Sequence, residues 1–241
     1  MTTLTRRLTI VIVAAATVTS LVGAGSVAVA TTPTTPTPEE QARVFERMLT
    51  RADVPRSLVV DAGIEYTMKN HGGQHQSLCD KNGQDIQGRV TDLLYQVELG
   101  ETNLSADPVA IEQKVWPYPS AQAALREWQY LERQVRLCTG RSQWRGETGG
   151  LNTQYLSNGR TRLEVNGRTG IWVWIDARGS GFNPESEDGG YYVLHLTGDA
   201  IQSVEYDYVD AKGLPTQTRS SVNQLAWRLA ERWLATSQRR G

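Results

Sequence analysis

Of 241 residues only two are cysteine and three histidine, and the formal net charge is −1. Each scarcity closes off a class of function. A near-neutral balance gives no electrostatic case for nucleic acid or an anionic membrane surface. None of the three histidines is tied by spacing to a nucleophile or an acid, so a His-linked catalytic centre is not indicated. His71, His75 and Cys79 stand four apart, as ligands do on one face of a helix. Gly72-Gly73 between them argues against a helix, and a disulfide would remove Cys79 as a ligand. Arg178-Gly179-Ser180-Gly181 falls one glycine short of a nucleophile elbow, because Ala177 occupies the first glycine place. The acidic stretch FNPESEDGG at 182–190 lacks the D-x-[DN]-x-[DN]-G order of a calcium loop and reads as a solvated loop. No catalytic residue, metal site or cofactor is expected, and no internal repeat is present.

What is there begins with a separate object at the N-terminus. MTTLTRRL is basic through Arg6 and Arg7, the run to Gly25 carries no charge, and Ala28-Val29-Ala30 has the small-x-small form of a signal-peptidase site. Residues 1–30 are therefore expected to be a signal peptide, with an uncleaved signal anchor over Leu8–Ala30 as the alternative and the only expected link to a membrane. No cysteine lies near the cleavage site, so lipid attachment there is not expected. Without residues 1–30 the chain has 23 basic and 26 acidic residues, a balance of −3. Residues 31–37 lie in the Thr/Pro tract TTPTTPTP, an extended spacer that buries nothing. Residues 38–238 are expected to form one domain. Two cysteines in an exported chain are most simply a disulfide.

Within that domain, Thr37, Pro38 and Glu40 supply a cap, a first-turn proline and a capping-box acid for a helix carrying Val44, Phe45, Met48 and Leu49. Strand patterns follow at 58–67, 89–99 and 109–116. Ser120 caps a long helix whose apolar stripe is Ala121, Ala124, Leu125, Trp128, Leu131, Val135 and Cys138, with Gly140 at the left-handed stop position. Cys138 thus sits on the buried stripe, placed as a staple. Six further strands are expected at 142–147, 153–157, 160–165, 168–176, 191–197 and 200–209, with hairpin turns at Asn166-Gly167 and Gly198-Asp199. A last amphipathic helix carries Val222, Leu225, Ala226, Leu229 and Trp233. The class is α+β, a twisted, largely antiparallel sheet with two long helices packed on one face.

Strand alternation sorts the sheet residues by side. Ile171, Val173 and Ile175 make an aliphatic face; Trp172 and Trp174 point the other way. Arg162 and Glu164 lie opposite Leu163 and Val165, and Tyr191, Val193 and His195 lie opposite Tyr192, Leu194 and Leu196. Aromatics mixed with Arg and His on an uncovered sheet face suit a cleft for an amphipathic ligand. Trp172, Trp174, Tyr191 and His195 are the expected contacts, with Arg162 as an anion partner. The alternative is that these rings form a second small core.

Five segments stand out together: LTRADVP at 49–55, the upstream Cys79, residues 115–140 with the SAQAA helix start and Cys-x-Gly end, YYVLHLTGDAIQSV at 191–204, and LAWRLAERWL at 225–234. They resemble the extracellular sensor domain of PknH-type actinobacterial serine/threonine kinases and the related stand-alone secreted sensor-domain proteins. The resemblance spans about residues 40–235. It implies a twisted antiparallel sheet with an open cleft and a Cys79–Cys138 bridge. It also implies a second bridge in the kinase's sensor domain that two cysteines cannot supply; no kinase domain is expected here, so signalling, if any, would pass through another protein.

The expected function is therefore an exported, non-enzymatic domain of the cell envelope that binds a small or amphipathic envelope ligand. A protein–protein module docking an envelope or membrane partner through the same aromatic face is the alternative, and an envelope hydrolase the third reading. The hydrolase would need a carboxylate pair or His-linked nucleophile in the cleft.

Overall fold

The computed structural model describes residues 36–58, 62–74, 77–82, 84–89, 91–101, 110–145, 151–177, 189–208 and 214–237. The expected signal peptide, most of the spacer, the 178–181 glycine motif, His75 and most of FNPESEDGG lie outside them. In chain order the described elements are α1 (Pro38–Phe45), β1 (Ala62–Gln74), β2 (Ser77–Lys81), β3 (Gln84–Gln87), β4 (Thr91–Glu101), β5 (Ala110–Pro117), α2 (Ala121–Gln134), β6 (Gly140–Arg145), β7 (Leu151–Val165), β8 (Arg168–Ala177), β9 (Gly189–Thr197), β10 (Ala200–Tyr208) and α3 (Thr216–Ser237). Eight strands form one sheet in the order β1-β4-β5-β10-β9-β8-β7-β6, antiparallel throughout, and β2–β3 form a separate hairpin. The class is α+β, as the patterns imply.

The two long helices do not share a face. α2 packs Ala124, Trp128 and Leu131 on Ile171, Val173, Leu194 and Ile201, joined by Leu78 and Ile86 of the small hairpin. α3 packs Val222, Leu225, Ala226, Leu229 and Trp233 on the opposite side, over Tyr191, Val193 and Val204. The cause is legible in β9, whose residues are apolar at odd and even positions alike, so each face must be covered. The second small core, one of the two readings of the aromatic face, is thus real over much of that face.

Local signals behave as their chemistry dictates. Thr37 Oγ1 accepts from the Glu40 amide and the Glu40 carboxylate accepts from the Thr37 amide at 2.8 Å, closing the capping box of α1. That helix stops at Phe45, earlier than its apolar spacing suggests, because Met48 and Leu49 enter the core from irregular backbone. Ser120 caps α2 by accepting from the Ala123 amide. Asn166 and Gly167 both take positive φ, 50° and 70°, as a two-residue hairpin turn requires. The strand expected at 58–67 starts later, at Ala62, after a short 3-10 turn, and the two strands expected at 153–157 and 160–165 are one long β7.

Polar bonds tie α3 to the sheet and to the turn at 48–53. Gln113 Oε1 accepts from the Leu49 amide, Gln113 Nε2 donates to Gln202 Oε1 at 3.0 Å, and Gln202 Nε2 donates to the Ala226 carbonyl at 3.3 Å. Both glutamines are buried, so each bond also avoids an unpaired amide. Arg232 grips both carboxylate oxygens of Asp53 and donates to the Met48 carbonyl. Burial alone would raise the Asp53 pKa, but hydrogen bonds from Arg232 and Thr50 outweigh it and hold it below its usual value. The LTRADVP turn is thus a lock for the last helix. On the far side of the sheet Cys79 and Cys138 form a disulfide that ties β2 to the end of the 3-10 turn following α2, as the resemblance implies.

Candidate functional site: an aromatic and arginine-lined groove

The site begins with an irregularity in the β7–β8 hairpin. Arg160 pairs with Ile171 and Glu164 with Thr169, so three residues of β7, Thr161–Leu163, stand opposite the single Gly170. This is a bulge, which bends the strand and re-aims its side chains. Thr161 holds it: its Oγ1 accepts from the Gly170 amide at 2.8 Å and donates to the Leu163 carbonyl at 2.8 Å. A Cβ on Gly170 would meet His195 Cε1 at 2.5 Å and the Leu194 carbonyl oxygen at 2.7 Å, so only glycine lets β9 pass so close.

Trp172 lies across the other strand of the hairpin. Its ring covers Gly159, directly opposite in register, where a Cβ would come within 2.6 Å of it. The indole Nε1 donates to the Arg160 carbonyl at 3.2 Å, and the ring stacks on Tyr191 at 6.0 Å between centroids. Tyr191 is held in turn by α3 through its hydroxyl and Asn223, whose Nδ2 donates at 2.9 Å. Burial raises the Tyr191 pKa, so the hydroxyl stays protonated near neutrality.

Bulge, ring stack and the first turns of α3 together enclose a groove of about 500 Å³, within the roughly 300–1,000 Å³ typical of small-molecule sites. Trp172, Tyr191 and Leu163 give it an apolar wall; Thr216, Ser220, Asn223 and Gln224 line the helix side; Arg162 and Arg219 supply charge, and Arg160 borders it with its backbone. No carboxylate is among these lining residues. The Arg160 guanidinium is paired with Glu132 of α2 at 2.9 Å. Arg162 is exposed and makes no hydrogen bond or ion pair with a described residue. Arg219 lies with its guanidinium 4.6 Å over the Trp174 ring and donates from Nη2 to Thr216 Oγ1 at 3.2 Å. Its Nε is buried without a hydrogen-bond partner.

Of the five residues expected as contacts, the fold brings Trp172, Tyr191 and Arg162 into this groove and leaves two outside. Trp174 sits beneath Arg219, its Nε1 donating to Tyr208 Oη at 2.7 Å, and borders a separate hollow of about 250 Å³ with Tyr155, Leu156, Ser157 and Asp176. His195 is a correction to the expected set. It is 1% exposed, its ring packs on Gly170 under the bulge, and neither ring nitrogen has a hydrogen-bond partner. Burial pushes its pKa down to about 4, so it is neutral near pH 7. It supports the floor and cannot touch a ligand in the groove.

Sequence reasoning missed Arg219, Asn223 and Thr161. Arg219 and Asn223 fall in the polar opening of α3, before and between the apolar positions that identify the helix. A bulge placing Thr161 has no signature in period-two alternation. It also missed a carboxylate pair. Glu112 and Glu205 face each other across β5 and β10, both ion-paired with Lys114, on the sheet face opposite the groove. Burial and the Glu205 charge raise Glu112 to about 7 against the pull of Lys114. Among the described residues no group of three or more His, Cys, Asp and Glu is placed to hold a metal ion, and His71 lies on a strand rather than a helix.

The fold has a counterpart among solved structures. It is similar to the crystal structure of the extracellular domain of PknH from Mycobacterium tuberculosis, with a TM-score of 0.53 and 9% sequence identity, over 83% of this chain and 96% of that one. At that identity the likeness is one of fold. No protein-family model matches the sequence, and no curated protein does.

Proposed function

We propose that this chain is an exported, non-enzymatic, sensor-like domain of the cell envelope that takes a small amphipathic ligand in the groove between the β7–β8 hairpin and α3. The observation that carries the reading is the groove itself: a stacked Trp172–Tyr191 wall with polar side chains around it, on a fold shared with a kinase extracellular domain. Apolar area on the two rings would supply most of the affinity, and Arg162 the orientation. The disulfide and the signal-like N-terminus support an oxidising, extracytoplasmic location. The non-enzymatic reading rests on a lining without carboxylate, histidine or cysteine.

Native mass spectrometry of the purified protein, before and after incubation with a lipid and small-molecule extract of envelope, tests this. A discrete adduct that Trp172→Ala abolishes supports it. An adduct that persists in the variant, or none with either protein, moves the assignment to a surface that docks another protein.

A further inference from the structure

We infer that the groove selects ligands bearing one anionic group, a phosphate or carboxylate, on an apolar body, and that Arg162 and Arg219 read the charge. The inference rests on the groove reading above and adds its sign. Three independent features give that sign. The first is the census of the lining: two arginine side chains, Arg162 and Arg219, and no acid, the Arg160 guanidinium being turned to Glu132 on the α2 side. Arg162 is left as a cation at the rim, re-aimed there by the Thr161–Leu163 bulge.

The second is Arg219. Stacking on Trp174 engages the flat face of its guanidinium. That contact does nothing for the N–H groups in its plane. One of them reaches Thr216, and no carboxylate of a described residue pairs with the guanidinium, so its charge stands uncompensated beside the groove. An oxyanion is the acceptor a guanidinium fork fits best.

The third is the helix. α3 begins at Thr216 and has no acidic residue in its first turn, so nothing there offsets the positive end of its dipole. Arg219 adds a cation at the end of a helix where cations are disfavoured. The helix start, Arg219 and Arg162 thus place positive potential of one sign around an apolar wall. A neutral or cationic amphiphile would leave those groups desolvated and unmatched; an anionic one matches them.

Isothermal titration calorimetry of the full purified chain, with octyl phosphate, octyl glucoside, octyltrimethylammonium and inorganic phosphate below micellar concentrations, decides this. Octyl phosphate is expected to bind about tenfold or more tighter than octyl glucoside, an advantage that shrinks with salt. Arg162→Gln, at an exposed position, should reduce octyl phosphate affinity severalfold and leave octyl glucoside unchanged. Arg219→Lys keeps the charge but loses the fork and should show the same pattern, with circular dichroism confirming its fold. Equal binding of the three octyl compounds, lost in Trp172→Ala, would leave the groove reading standing and overturn the charge inference, as would a preference for the ammonium. Inorganic phosphate binding as tightly as octyl phosphate would overturn the amphipathic part, making free phosphate rather than a lipid headgroup the source. No binding by any probe, with Trp172→Ala indistinguishable, would remove both readings together.

Discussion

The hydroxyl of Thr161 accepts the Gly170 amide at 2.8 Å and so closes the gap that a three-against-one bulge opens between β7 and β8. Without it a buried amide would have no partner, and Arg162 would not be held at the groove rim. Thr161→Val, which keeps the shape and removes the hydroxyl, should cost about 1–3 kcal/mol. Urea denaturation measures the loss. Unchanged stability would mean that the bulge is held by strand pairing alone.

Gly170→Ala is expected to destabilise by about 1–3 kcal/mol or more through overpacking, since the new methyl meets both a ring and a backbone carbonyl. The His195 ring can be cut away and the Leu194 carbonyl cannot. Adding His195→Ala should therefore restore only part of the loss. Full recovery in the double variant would show that the ring was the whole obstacle.

Two buried groups pull stability in opposite directions with pH. His195 has a folded pKa of about 4 against an ordinary 6.5, so between these values the unfolded chain binds the extra proton. Its contribution, on the order of 3 kcal/mol, is present above pH 6.5 and lost as pH falls toward 4. Glu112, at about 7 against 4.5, holds a proton in the folded state that the unfolded chain releases. Its contribution is full below pH 4.5 and lost as pH rises to 7. Thermal melts from pH 4 to 8 should show a steeper rise for Glu112→Gln and a net fall for His195→Phe. A His195→Phe protein that still gains stability from pH 4 to 6.5 would assign that gain to other groups.

The Cys79–Cys138 bridge closes a separation of 59 residues. Loop-closure entropy gives about 4 kcal/mol for a loop of that length. Cys79→Ser/Cys138→Ser should lower the urea midpoint accordingly, and the native protein should show no alkylatable thiol under non-reducing conditions.

Trp172 and Trp174 neighbour one another on the same face but carry different loads. Trp174 is fastened by Tyr208 and roofed by Arg219, whereas Trp172 faces the groove. Trp174→Ala should cost about 3–5 kcal/mol of stability and Trp172→Ala clearly less, measured on the same chemical-denaturation series. Equal losses would make Trp172 as much a core residue as its neighbour.

The stripes of α2 and α3, the capping box at Thr37 and the Asn166-Gly167 turn were legible because each rests on local chemistry that the chain writes in order. The placement of α3 was not. Alternation in β9 separates Tyr191 and Val193 from Tyr192 and Leu194, but when both sets are apolar it cannot say which helix covers which. His195 misled for the same reason: a strand position names a face, and only the third dimension shows that Gly170 lets β8 close over it. Trp172, Tyr191 and Arg162 were found because aromatics and arginine on one face stand out from an aliphatic opposite. Arg219 comes from an element some fifty residues downstream, and the contact of α3 with β7 and β9 that unites them has no local signature.

The sheet works as a partition. On its α2 side the small hairpin is covalently anchored, so thermal motion there is restrained whatever occupies the other side. On the α3 side no disulfide joins the bulged hairpin to the helix across the groove; the Trp227 indole N–H donated to the Glu164 carbonyl, the Tyr191–Asn223 pair and Arg219 stacked on Trp174 hold them. A bound molecule would act there as a further tie. Its arrival would be felt as slower amide exchange in the opening turns of α3 and in residues 161–163, while α2 kept its rate. Occupancy and redox state would then be written on opposite faces of one molecule, each readable without disturbing the other.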